Sequence, residues 1–182
     1  MNAFENIIAQ YLEEEGYWVR QSVKVDISKA DKKEIDLPSM PRPEIDLVAL
    51  KVKENELLLI EAKSFLDSPG VRFSGVSGKD SKDKKRYRLF THSKYRDIVT
   101  KRLCEEYLKK GLINEDTKIN YALAAGNIYS NDETEIRYYF SEKGWNFFSP
   151  NEIKNKIKEL SRKGWEDNIV TITAKLISRG EK

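Results

Sequence analysis

The apolar positions of the chain change their period several times, and each change marks an element. Over residues 3–15 they recur at helical spacing, with Phe4, Ile7, Ile8, Tyr11 and Leu12 on one stripe and Glu13, Glu14 and Glu15 on the wet side. Asn2 can cap this helix and Gly16 can end it. Residues 17–27 are β-prone, carried by Tyr17, Val19, Val23 and Val25. Residues 28–42 are charged and then proline-rich, which predicts a loop. Two apolar runs follow. The first, 45–52, alternates, while the second, 57–65, opens as a continuous run, as in a strand covered on both faces. Lys53, Glu54 and Asn55 lie between them as a hairpin turn. Ser93 can cap a helix over 94–110, whose stripe is Tyr95, Ile98, Val99, Leu103 and Tyr107. Residues 118–125 and 135–140 are expected strands, with a turn at Asn131-Asp132. Ser149-Pro150 opens a helix, with Glu152 in its first turn. A last helix begins at Asp167 or Asn168 and carries Ile169, Val170, Ile172, Thr173, Leu176 and Ile177.

This order predicts an α/β fold: a mixed β-sheet with helices packed on both faces. The length suits one domain over 1–182, with a core over about 3–125 and a C-terminal helical extension over about 126–182. The single cysteine, Cys104, excludes an internal disulfide and a cysteine-based metal cluster. It fits a reducing compartment. No apolar run approaches the roughly 20 residues of a membrane span, and the first ten residues lack the basic opening of a signal peptide. The expectation is a cytoplasmic protein with no membrane partner.

Charge is uneven. From Arg72 to Lys110 there are 13 Lys/Arg against 5 Asp/Glu, whereas the rest of the chain holds 20 against 25. The densest part runs from Lys82 to Arg88. A basic segment suits a nucleic-acid backbone, although most charge runs are solvated helix faces. Candidate phosphate contacts are Arg72, Lys79, Lys82, Lys84, Lys85, Arg86 and Arg88. Tyr87 within the run could stack on an unpaired base or anchor the segment to the core. Residues 64–78 are rich in Gly and Ser, lack the spacing of a P-loop and predict a flexible loop. His92, the only histidine, has no orienting acid near it in sequence and is expected to be structural.

The two strand runs carry charges that apolar strands seldom bury. Glu61 and Lys63 share a face because side chains alternate along a strand. If Val52 and Asn55 close a two-residue turn, Asp46 lies opposite Glu61. A slip of two residues places it opposite Lys63. Either way all three groups share one face, with opposed Cβ atoms about 5 Å apart. Two carboxylates can hold a hard divalent ion, and an ammonium beside them can orient a water or offset developing charge. The alternative is a structural salt bridge at a strand end.

Asp46, fourteen intervening residues and then Glu61-Ala62-Lys63 resemble the PD-(D/E)xK motif of the restriction-endonuclease-like nucleases. Pro43 is followed here by Glu44, so the carboxylate comes two residues further on; this form is similar to that of Holliday-junction resolvases. The resemblance implies a restriction-endonuclease-like fold and a Mg²⁺- or Mn²⁺-dependent endonuclease acting on DNA. It implies Asp46 and Glu61 as metal ligands, the Ala62 carbonyl as a third, and Lys63 acting on the nucleophile. Glu5 or Glu44 would assist, Glu5 matching a helix-1 acid of such enzymes; an ordinary first-turn glutamate is the other reading of Glu5. A homodimer is also expected, because cutting two antiparallel strands suits two-fold symmetry. A non-catalytic nucleic-acid-binding module of the same fold is the alternative.

Overall fold

A computed structural model of the protein describes residues 2–179. Its centre is a mixed sheet of five strands in the spatial order of the sequence. Strands β1 (Trp18–Lys24), β2 (Glu44–Lys51) and β3 (Glu56–Lys63) form an antiparallel meander. Strand β4 (Lys118–Ala125) lies parallel to β3, and β5 (Asn146–Phe148) parallel to β4.

Strand β3 explains its own composition. Leu57, Leu58, Leu59 and Ile60 are all fully buried, so both faces of the central strand are covered. Leu57 and Leu59 face one layer, and Leu58 and Ile60 the other. On the second face lies α1 (Ala3–Glu14), which Asn2 caps and whose Phe4, Ile8 and Leu12 pack on Leu47, Leu58, Ala122 and Ala124. Beside it lies α7 (Pro150–Leu160), which starts with a Ser149–Glu152 capping box. On the first face lies α5 (Ser93–Lys109), through Tyr95, Val99, Leu103 and Tyr107. His92 is its N-cap, accepting from the Tyr95 backbone N–H, so the lone histidine is structural.

Three segments differ from the sequence expectation. Residues 135–140 are helical, part of α6 (Glu133–Glu142). Ile136 and Phe140 lie one helical turn apart and are both fully buried, and that spacing outweighs the β-preference of the Tyr-Tyr-Phe run. The last strand is β5, three residues whose Phe147 is buried. Residues 28–42 contain α2 (Lys29–Glu34), started by a capping box in which Ser28 and Asp31 satisfy each other's backbone N–H. Residues 64–78 expose 66–69 but pack from Val71 onward. They contain α3 (Phe73–Val76), Val71 and Val76 are fully buried, and Val71 bridges to Ile128.

Asp31 also takes two hydrogen bonds from the Arg102 guanidinium, at 2.9 and 2.8 Å. These bonds, helped by the Ser28 backbone N–H, hold the Asp31 carboxyl well below the usual carboxylate range. The ionised form is favoured in the folded state. Its contribution is therefore full above about pH 4 and is lost as pH falls below that. Asp31→Asn is expected to lower the urea midpoint at pH 7. The gap from wild type should close as the pH is taken toward 2.

Candidate active site

The β2–β3 hairpin sets the geometry. Lys51 pairs with Glu56 and Leu47 with Ile60, so the register continues to Asp46 opposite Glu61. Val52–Glu54 form a single 3-10 turn, and Asn55 takes the left-handed conformation that lets the chain reverse. This is the first of the two registers that the sequence leaves open.

At Asp46 the ladder is interrupted. The β1–β2 pairs run regularly except for one omitted step, Ser22 opposite Asp46. Ser22 has φ +51°, a left-handed conformation that costs a non-glycine residue about 1–2 kcal/mol. Such strain recurs where a backbone holds a functional group in place. Freed from the ladder, the Asp46 carboxylate turns along the sheet and its Oδ2 accepts the Ala62 backbone N–H at 2.8 Å.

The Lys63 ammonium joins the carboxylates. It pairs closely with Glu61 Oε1 and lies 3.8 Å from Asp46 Oδ2. About a fifth of each side chain stays exposed (20% for Lys63, 21% for Asp46, 18% for Glu61). Gly126 closes this end of the sheet. Its N–H donates to the Lys63 carbonyl, and a Cβ there would overlap the Ser64 carbonyl oxygen. Glu5 approaches from α1 and accepts the Ser22 hydroxyl at 3.4 Å.

The electrostatics follow from three carboxylates around one ammonium. Burial pushes the Glu61 carboxyl up to about 7, and Asp46 and Glu5 add to the rise although Lys63 opposes it. The Glu5 carboxyl is likewise raised, by burial first and then by Asp46. Burial works against the Lys63 ammonium, but Glu61 and Asp46 outweigh it and its pKa ends above the ordinary value. Lys63 is therefore a cation at neutral pH.

Glu61 opens onto a cleft of about 120 Å³. Its other walls include Glu44 and Ile45 from β2, Lys85, Arg86 and Arg88, and Leu89 and Tyr95. Arg88 and Leu89 belong to α4 (Arg88–Thr91), and Tyr87 just before it is buried, anchoring the basic segment to the core. Three of the seven candidate phosphate contacts thus line the same cleft as Glu61. The other four do not line it. Lys84 borders a neighbouring hollow with Leu37 and His92. Arg72 lies over the Tyr129 ring at 3.9 Å and Lys79 over the Phe73 ring at 4.8 Å. Lys82 is exposed. Arg42 pairs with Asp26 at 2.9 Å. Tyr95 is a wall residue that its helical spacing presents only as core, and nothing in the sequence signals the strained Ser22.

The donor set can be tested against a divalent ion. Among the described residues, no three His, Cys, Asp or Glu side chains converge closely enough to hold a metal by themselves. Mg²⁺ does not need them, because it keeps several waters and takes one or two carboxylates plus phosphate oxygens. Asp46 and Glu61, with the Ala62 carbonyl, fit that requirement. Burial first, and then the neighbouring carboxylates, raise Glu61 and Glu5, and a cation would relieve the second of these.

Compared with models of known families, with curated proteins and with solved structures, the chain matches none. Among the described residues, no helix is long and apolar enough to cross a membrane.

Proposed function

We propose that the protein is a Mg²⁺- or Mn²⁺-dependent endonuclease hydrolysing DNA phosphodiester bonds. The observation that carries this is the meeting of Asp46, Glu61 and Lys63, with Glu61 lining a cleft that Lys85, Arg86 and Arg88 also line. The resemblance of the motif to that of PD-(D/E)xK nucleases supports it, and so does the mixed sheet with helices on both faces. On that basis the fold is of the restriction-endonuclease-like kind.

Asp46, Glu61 and the Ala62 carbonyl would hold the metal ion. Bound there, it would supply a water of lowered pKa and offset charge on the phosphoryl group. The residues do the rest. Lys63, kept cationic, donates a hydrogen bond that orients the attacking water and faces the charge that develops on the phosphate. Asp46, held by the Ala62 N–H, keeps its position without a water bridge. Lys85, Arg86 and Arg88 hold the backbone phosphates in the cleft, and Glu44, which also lines it, assists.

Supercoiled plasmid incubated with Mg²⁺ or Mn²⁺ tests this directly. Wild type should nick it, and Asp46→Ala and Lys63→Ala should not. A non-catalytic DNA-binding module is the competing function, favoured by the close Lys63–Glu61 pair, which already neutralises one carboxylate. Binding in EDTA with no cleavage under either ion would establish it. In both cases the basic wall binds backbone. The double variant Arg86→Ala/Arg88→Ala should weaken duplex binding about tenfold and lower the slope of log K against log salt by about 2. Titrations of a labelled duplex across a salt series read both numbers.

A further inference from the structure

The helix α8 (Ile169–Ser178) turns its small side chains inward and its large apolar ones outward. Thr171 and Ala174 are buried against the body, at 0% and 4% exposure. Ile169, Ile172, Leu176 and Ile177 are 76%, 41%, 65% and 64% exposed. These four recur at helical spacing and form one continuous outward stripe. Beside it runs an apolar groove of about 390 Å³, walled by Ala3, Asn6 and Ile7 of α1 and Ile157 of α7. A contiguous apolar surface of this kind marks an interaction site.

We propose that this stripe is the interface with a second copy of the chain, α8 packing antiparallel on α8 about a two-fold axis near Thr173. The stripe suits itself. About Thr173, Ile169 of one copy falls opposite Ile177 of the other, and Val170 opposite Leu176, with Ile172 close to the axis. Charge agrees with this direction. Asp167 lies exposed just before the first turn and Arg179 lies exposed just after the last, so antiparallel packing brings each Asp167 to an Arg179. The helix dipoles then oppose, which is also favourable. A two-fold contact must be self-complementary, and this face is.

A lipid surface is the competing occupant, since an apolar stripe with flanking cations also suits one. Two of the neighbouring cations, however, are engaged within the chain. Lys163 pairs with Glu14 and lies 3.9 Å from Glu166, and Lys175 donates to the Gly164 carbonyl. The interface stands apart from the cleft at Glu61 and does not depend on nuclease activity.

Sedimentation velocity of the full chain over a roughly hundredfold concentration range tests the interface. Wild type should form a dimer. Leu176→Glu/Ile177→Glu should raise the dissociation constant by at least about a hundredfold, with an unchanged circular-dichroism spectrum because both residues are already exposed. Asp167→Arg and Arg179→Asp should each weaken the dimer, and the double exchange should restore it. A wild-type monomer throughout the range overturns the proposal. So does a dimer indifferent to the stripe substitutions, or singles whose loss the double exchange does not repair. A monomer that floats with phosphatidylserine vesicles and loses this with Leu176→Glu would assign the face to membrane instead.

Discussion

Lys63→Met is expected to lower plasmid nicking by about 10³-fold while duplex binding in EDTA stays within about threefold of wild type. The reason lies in what holds the ammonium. Burial alone would push its proton off, but Glu61 and Asp46 outweigh that and keep it charged well above neutral pH. A lysine in that condition cannot accept a proton from water. It can only donate hydrogen bonds and supply charge, and that contribution appears in the transition state rather than in DNA binding. Methionine retains much of the side-chain volume and removes the charge. It also leaves Asp46 and Glu61 without their shared cation, which costs stability. Activity must therefore be compared well below the variant's unfolding midpoint. Lys63→Arg should recover part of the loss, since it returns charge with a different reach. A folded Lys63→Met protein as active as wild type would remove Lys63 from the chemistry. An unchanged loss at every divalent ion concentration would separate its role from metal affinity.

The site is reachable from sequence because two local rules converge on it. Strand alternation puts Asp46, Glu61 and Lys63 on one face, and turn length selects whether Glu61 or Lys63 lies opposite Asp46. The asparagine that closes the turn at Asn55 accepts the left-handed backbone, so the two-residue register prevails. Helix ends are legible with one exception: α5 is capped by His92, not by Ser93, which is its first helical residue. Asn2, Ser149 and Asn168 each cap as their side chains suggest. What stayed hidden depends on contacts far apart in sequence. The Tyr-Tyr-Phe run of α6 has strand-like composition and is helical because Ile136 and Phe140 must meet one core. The three residues of β5 gain strand geometry only from the edge of β4. The break in the ladder at Ser22 and Asp46 has no compositional sign at all, since serine gives no warning of a positive φ. Its meaning emerges only when Glu5 is seen taking the Ser22 hydroxyl, tying α1 to the same point.

Glu61→Gln should abolish nicking and yet stabilise the cation-free protein. An ordinary carboxyl ionises at about 4.5, while burial and the Asp46 and Glu5 charges push Glu61 up to about 7. Between those values the folded chain holds a proton that the unfolded chain has released. Stability from this group is thus full below about pH 4.5, declines as pH rises toward 7 and is flat above. The cost of keeping the carboxylate charged at pH 8 is of the order of 1–3 kcal/mol, from about 1.4 kcal/mol per pKa unit. Glutamine occupies the same space without that charge. Urea titrations should show the variant more stable than wild type at pH 8 by about 1–3 kcal/mol, and the difference should vanish near pH 4. A divalent ion should narrow or close the gap. At a hundredfold excess over its dissociation constant, Mg²⁺ should add about 2.7 kcal/mol to the wild type and little to the variant, because a ligand for it has gone. Equal responses of the two proteins to Mg²⁺ would mean that Glu61 does not hold the ion. A wild type more stable than Glu61→Gln in EDTA at pH 8 would mean that its pairing with Lys63 dominates, and that the acid serves the fold rather than a cation.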